Sequence, residues 1–543
     1  MRKRRVIFKT SAMSQSQQQS ARQHAQAPDP TQPSPSDRLE ELLSDSSSRL
    51  QEITDDDEFE DMEEDSPKGE VVPDLVDLSV EPKVPALYSA LPPLVDGLKT
   101  KSSEDQRETV EKILPYHTGN PYSRKLNSHG IPHLLRQEHL DYAIDGLSDY
   151  PAPFVAMDAS RPWIPYWSLF AIAILGGDTS EFREGAVQMY RPLQSATGGF
   201  GGGHGQSPHV IGSYASVLAL VIVGGEEAYD LIDRKAMWHF LGRMKQNDGG
   251  FTVADGGEED VRGAYCAMVI ISLLKLPLDL PQDAPARAAG LMSFTDRLPE
   301  WISSCQTFEG GIGGAPTNEA HGAYAFCALA CLCILGAPFD MLNRHLDLPA
   351  LIHWLSSRQQ APEGGFAGRA NKLVDGCYNH WVGGCWALVE AALQVPGTTD
   401  RSVTKGLWSR EGMVRYILCA CQGKNGGLRD KPGKWTTSKA QQTPNVQIYL
   451  VKITCYNLSG LSAGQYRYTY VPPETANASS SNGGSSFSPP LNAGFYWAAE
   501  DAPEDSDRVW DEEDRVGKIN PVYVLPEGVA ETARRYFEEK VGF

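Results

Sequence analysis

From about Pro85 onward, apolar runs of helical length alternate with shorter, two-faced ones. The segments "YASVLALVIVGG", "AYCAMVIISLL", "AYAFCALACLCIL" and "CYNHWVGGCWALVEAAL" are apolar nearly all round, as helices buried on every side must be. The segments between them, such as "LPALIHWLSSRQQ", carry one apolar stripe and suit an outer layer facing water on one side. Double glycines punctuate this pattern at Gly198-Gly199, Gly249-Gly250, Gly310-Gly311, Gly364-Gly365 and Gly426-Gly427, with spacings of 51, 61, 54 and 62 residues. Each pair closes a polar turn, as in "LQSATGGF", "CQTFEGGI" and "RQQAPEGGF". Hairpin repeats of this length bury a continuous core only when each has neighbours on both sides. A closed ring supplies neighbours to every repeat. The expected fold is therefore all-α: an α/α toroid, an α6–α6 barrel of helical hairpins.

The expected division is a disordered acidic, Gln- and Ser-rich tail over 1–83, the toroid over 84–473, a low-complexity acidic insertion over 474–515, and a helical segment over 516–543 that completes the ring. Composition supports the two excluded stretches. The formal net charge is −20, and two runs, Glu40 to Asp65 and Glu500 to Asp514, carry −12 and −8 of it. The rest is near neutral, so the charge marks two solvated segments and points to no basic partner, and no nucleic-acid partner is expected. Ten cysteines lie between Cys266 and Cys455, most in apolar runs and none in a CxxC pair. They read as core thiols of a reducing compartment, with a cytoplasmic location expected. No apolar run is long enough for a stable membrane insertion.

Chemistry concentrates just after the glycines. Ten residues beyond the second glycine stand His209, His321 and Asp375; in the second repeat the offset gives Val261, flanked by Asp260 and Arg262. A tyrosine follows each, at Tyr214, Tyr265, Tyr324 and Tyr378. Equal offsets in a ring of repeats put these residues on one rim, at the N-terminal ends of inner helices. Helix N-termini present unpaired N–H groups and a positive dipole to an anion. A rim of His, Arg, Lys, Tyr and Asp above an interior of Trp, Tyr, Phe and Cys suits an amphiphile with an anionic head and an apolar tail.

The segments "DASRPWIPYW", "EEDVRGAYC", "EGGIGGAPTNEAHGAYAFC", "EGGFAGRANKLVDGCYNHW" and "GGLRDKPGK", taken in order, resemble the β subunits of protein prenyltransferases. The resemblance implies a catalytic subunit that transfers farnesyl from farnesyl diphosphate to the cysteine of C-terminal CaaX motifs, in a heterodimer with an α subunit. It implies one Zn²⁺ per subunit held by Asp375 and Cys377, with Lys372 and Tyr378 also catalytic. His321, Arg369, Lys372 and Tyr378 match the residues that hold the diphosphate, and Asp430 matches a position associated with Mg²⁺ on it. Trp163, Arg262, Tyr265, Tyr324, Cys327 and Trp381 match the isoprenoid tunnel, and Trp167 the peptide-side wall. Bulk at Trp163 and Tyr265 resembles the farnesyl enzyme; the geranylgeranyl enzyme of type I, the nearest alternative, is smaller there. Terpene cyclases share the toroid but protonate with an Asp-rich motif inside the barrel, and the Asp run here, Asp55 to Asp57, lies in the acidic tail.

One departure stands out. The family's third zinc ligand is a histidine, and alignment on Thr454-Cys455-Tyr456 puts Ile453 in its place and Lys452 where a pocket tyrosine belongs. The run from Trp435 to Ile453 is longer than the family's connection and resembles nothing in it. The expectation is that this run is a translated intron or splice error; transcript sequencing across Lys434 to Cys455 decides it. A chain that truly carries Ile453 is expected to be zinc-poor, a zinc-deficient non-catalytic toroid at the limit.

Overall fold

A computed structural model describes residues 84–90, 97, 99–148, 159–394, 406–433, 444–472, 491–502 and 507–540, with only the backbone for 444–448. The expected tail over 1–83 and the stretch 474–490 lie outside the described residues.

The apolar segments form the inner helices: Trp163–Ile174, Val210–Val223, Val261–Leu273, Gly322–Leu335, the pair Tyr378–Trp381 and Cys385–Leu393, and Pro444–Gln465. The amphipathic ones form the outer helices: Arg136–Asp145, Arg183–Tyr190, Arg234–Met244, Leu298–Ser304, Leu348–Ser356, and Arg410–Arg415 running into the π-helical turn Tyr416–Cys421. Each inner helix packs on the next, and Pro444–Gln465 packs back on Trp163–Ile174. The ring is closed. One expected inner helix is broken: Gly383 and Gly384 split "CYNHWVGGCWALVEAAL" between its two pieces, in keeping with the low helix propensity of glycine.

The glycine pairs act as joints. Gly198 adopts φ +92°, and a Cβ on it would lie 1.9 Å from the carbonyl oxygen of Ala236 in the following outer helix. Gly426, at φ +90°, meets Glu138 of the first outer helix in the same way, at 2.2 Å. Only a residue without a side chain fits both the backbone angle and the gap. The turn glutamines reinforce the joints. Gln306 accepts from Asp347 N at 2.8 Å and donates to Asp347 O at 3.0 Å. Gln359 does the same with Ser409, at 2.8 Å each way. Gln422 accepts from Leu135 N at 2.8 Å and donates to His133 O at 3.0 Å, tying the last turn to the first outer helix. In the second repeat the equivalent residue is Lys245, whose buried ammonium donates to Gly249 O at 2.6 Å and Phe294 O at 2.9 Å.

Two additions lie beyond an all-helical plan. Tyr466–Tyr470 pairs antiparallel with Trp497–Asp501, and Ile519–Asn520 with Leu525–Pro526 before the final helix Val529–Glu539. Residues 491–502 and 507–515, expected within the insertion, thus carry structure. The expectation that Glu500 to Asp514 is plain solvated charge is corrected at Asp514. This carboxylate is fully buried and accepts from Asn127 Nδ2 at 3.0 Å and Leu134 N at 2.9 Å. A buried carboxylate persists because donors replace the water it lost.

Candidate active site

The rim forms as the offsets imply, through helix capping. His209 Nδ1 accepts from Ile211 N at 3.2 Å, Asp260 Oδ1 from Arg262 N at 2.6 Å, His321 Nδ1 from Ala323 N at 3.1 Å, and Asp375 Oδ1 from Cys377 N at 2.7 Å. The first three cap inner helices, and Asp375 bonds across the start of Tyr378–Trp381. In the second repeat the cap is Asp260, one residue before the expected offset at Val261. It also holds the Arg262 guanidinium at 2.8 Å. Arg262 is thus fixed at the start of its helix, its guanidinium 5.4 Å from the centre of the Tyr324 ring.

His321 and Tyr378 meet directly, with Nε2 3.0 Å from Oη. Burial and then the nearby Arg369 hold the imidazole pKa down to about 4, so the ring is neutral near pH 7. Its Nδ1 accepts from Ala323, which places the single proton on Nε2, donating to Tyr378. The phenol's own proton is then directed onward. Arg369 comes to the same edge and pairs with Glu319 at 2.7 Å. Lys372 is exposed on the loop between Arg369 and Asp375.

Cys377 is buried beside Asp375, and burial followed by that carboxylate pushes its thiol pKa well above the usual range. Tyr449 Oη lies 3.4 Å from Asp375 Oδ2. Two turns further along the same helix, Asn457 accepts from Asn379 at 2.8 Å. Residues 449, 453 and 457 share one helix face, so Ile453 presents its side chain towards the Asp375–Cys377 loop. It is fully buried and offers hydrocarbon there. Asp430 is also fully buried, with Oδ2 3.3 Å from Lys431 Nζ. Burial would lower the Lys431 pKa, but Asp430 and then Asp375 outweigh it and hold it up. Lys431, Tyr449 and Glu319 are site neighbours that sequence reasoning missed. The "RDK" and "NEAH" strings were the available signals.

Inside the rim, aromatic side chains close a second ring. Trp163 stacks on Trp167 at 5.2 Å and meets Tyr214 at 5.9 Å. Tyr214 meets Tyr265 at 5.6 Å, Tyr265 meets Phe326 at 6.1 Å, and Phe326 meets Trp381 at 5.7 Å. Trp381 meets Tyr456 at 4.8 Å, and Tyr456 returns to Trp167 at 6.4 Å. Successive inner helices contribute these rings in order. Cys327 lies in the same wall, buried beside Phe326. Phe326 and Tyr456 were not anticipated. Trp163 and Trp381 keep part of their surface open although packed on the core, as residues lining an accessible space do.

The prenyltransferase alpha-alpha toroid domain matches residues 134–525. The chain belongs to this family. It is 48% identical over 474 residues to the protein farnesyltransferase subunit beta of Pyricularia oryzae, covering 86% of each chain. The subunit beta of Schizosaccharomyces pombe protein farnesyltransferase is 38% identical over 365 residues, 67% of this chain and 85% of that one. The structure of Candida albicans protein geranylgeranyltransferase-I complexed with GGPP shares the fold at a TM-score of 0.51 and 19% identity, over 76% of this chain and 100% of that one. Among the described residues no helix is long and apolar enough to cross a membrane.

A separate group of His133, Asp511 and Glu513 also has metal-ligating atoms within 4.8 Å of one another. Both nitrogens of His133 are already engaged, Nε2 by Glu513 at 2.9 Å and Nδ1 by Asp514 at 2.8 Å.

Proposed function

We propose that this chain is the catalytic β subunit of a protein farnesyltransferase, working with a helical α subunit on proteins ending in CaaX. The observation that carries this reading is a capped, cation-bearing rim directly above a closed ring of aromatic side chains. The ring takes the farnesyl chain; His321, Arg369, Lys372 and Tyr378 take the diphosphate. In the reaction the peptide sulfur forms a bond to C1 of the farnesyl group. The C1–O bond breaks, its electron pair leaves with the diphosphate, and the thiol proton goes to solvent. Charge develops on the leaving oxygens, so donors aimed there lower the barrier more than they tighten the ground state. Tyr378 is oriented for this by His321, and Arg369 offers a two-pronged donor.

The donor set at Asp375 and Cys377 falls one short of a zinc site. An open zinc centre takes three protein ligands, and Ile453 supplies none. Asp430, engaged by Lys431, does not fit a Mg²⁺ role as it stands. The cytosol is the proposed compartment, supported by ten free, buried cysteines in a chain that keeps its thiols reduced.

The test is co-expression with an α subunit and measurement of prenyl transfer to a CaaX peptide, with farnesyl and geranylgeranyl diphosphates in competition, on the chain as it stands and with Ile453→His. Farnesyl transfer by either form supports the reading. Geranylgeranyl preference, or no prenyl diphosphate binding at all, rejects it.

A further inference from the structure

We propose that His133, Asp511 and Glu513, with His129 as a fourth ligand, form a structural site for a late first-row divalent ion such as Zn²⁺, which clamps the C-terminal segment to the start of the ring. The site lies apart from the Asp375–Cys377 pair, and the inference stands whether or not the farnesyltransferase reading does.

The four side chains come from two distant stretches. His129 and His133 precede the outer helix Arg136–Asp145, and Asp511 and Glu513 precede the strand Ile519–Asn520. Their donor atoms converge. A ring nitrogen of His133 and one oxygen each of Asp511 and Glu513 lie within 4.8 Å of one another. His133 Nε2 is 2.9 Å from Glu513 Oε1, and His129 Nε2 is 3.9 Å from Asp511 Oδ1.

What stands behind these ligands distinguishes them from a patch of loose surface charge. The buried Asp514 carboxylate accepts on Oδ2 from Asn127 Nδ2 and Asp511 N, both at 3.0 Å, and on Oδ1 from Leu134 N at 2.9 Å. The same Oδ1 lies 2.8 Å from His133 Nδ1, so that nitrogen carries the proton. In the neutral ring the Nε2 lone pair then faces the Glu513 carboxylate, one acceptor against another. A cation between them bonds to both. An imidazole whose far N–H is held by a carboxylate is the common outer-shell support of a metal-bound histidine. Asp511 is oriented too: Ser128 donates to it from N at 2.9 Å and from Oγ at 2.5 Å.

Two imidazoles with two carboxylates suit Zn²⁺ or Co²⁺, whereas Mg²⁺ and Ca²⁺ favour oxygen alone. The Glu513 side chain is 62% exposed, and the exposed Lys125 lies 3.8 Å from its Oε1. The ion displaces that lysine and exchanges with solvent. Purification with a chelator therefore empties the site and leaves the zinc count to Asp375 and Cys377. When bound, the ion ties together segments 380 residues apart. It has this geometry to bind only in the folded chain, so it stabilises the fold.

The test is calorimetric titration of Zn²⁺ into the metal-stripped full chain with its α subunit, carrying Cys377→Ser to silence the other donor pair. One zinc per chain is expected, together with a rise in melting temperature. His133→Gln and Glu513→Gln should each weaken zinc binding at least about tenfold and cancel that rise. Mg²⁺ should bind far more weakly. Because Glu513 is mostly exposed, Glu513→Gln folds even where His133→Gln does not. Zinc affinity unchanged in Glu513→Gln overturns the site. Equal binding of Mg²⁺ does so as well, since it marks acidic charge alone. No zinc binding at all overturns it too, and leaves an imidazolium between two carboxylates in the ion's place.

Discussion

Glu319 holds Arg369 in the structure, at 2.7 Å, with side chains 53% and 27% exposed respectively. If Arg369 receives the diphosphate, the incoming anion must displace this carboxylate. An ion pair this open contributes at most about 1 kcal/mol, so Glu319→Gln should tighten farnesyl diphosphate binding by no more than about fivefold. Arg369→Gln removes a charge-assisted donor, for which about 1.5–3 kcal/mol is typical. With Arg369 partly solvated the lower end applies, about tenfold weaker binding. The Glu319→Gln gain should shrink at high salt, since exposed charges are screened. Once Arg369 is replaced, Glu319 has no arginine to release, so adding Glu319→Gln should leave binding as in Arg369→Gln alone. Equilibrium binding of farnesyl diphosphate at low and high salt measures all of this. Weaker binding by Glu319→Gln at low salt would refute the reasoning, because Glu319 would then be assisting the anion and not competing with it.

Other outcomes are equally checkable. Metal analysis of the purified complex should find well under one zinc per chain, rising towards one with Ile453→His; full occupancy without the histidine would contradict the two-donor count. Gly310→Ala should cost about 2 kcal/mol or more, since its φ of +94° and a Cβ 2.2 Å from Ala350 O both oppose it. Gly290→Ala, at φ +84° with open space around it, should cost less, and denaturant midpoints compare the two. Burial holds His117 and His139 down to about 4 in the folded chain, against 6.5 when unfolded. The unfolded state therefore binds more protons in that window, so stability should fall as pH drops from 6.5 towards 4. His139→Gln should flatten that slope by one proton in urea melts across the range.

The helical period, the order of inner and outer helices, the glycine joints and the rim offsets were all legible in the sequence, because each depends on residues within about one repeat of one another. The tertiary structure decided what spans the chain. Ring closure by Gln422 onto Leu135 crosses 287 residues, and the bond from Tyr265 to Val522 crosses 257. The burial of Asp514 against Asn127 and Leu134 crosses 387 and 380 residues. Local pattern reports which face of a segment avoids water, but a single sequence does not report which distant face it meets. Asp514 looks like solvated charge until its donors arrive from residues 127–134.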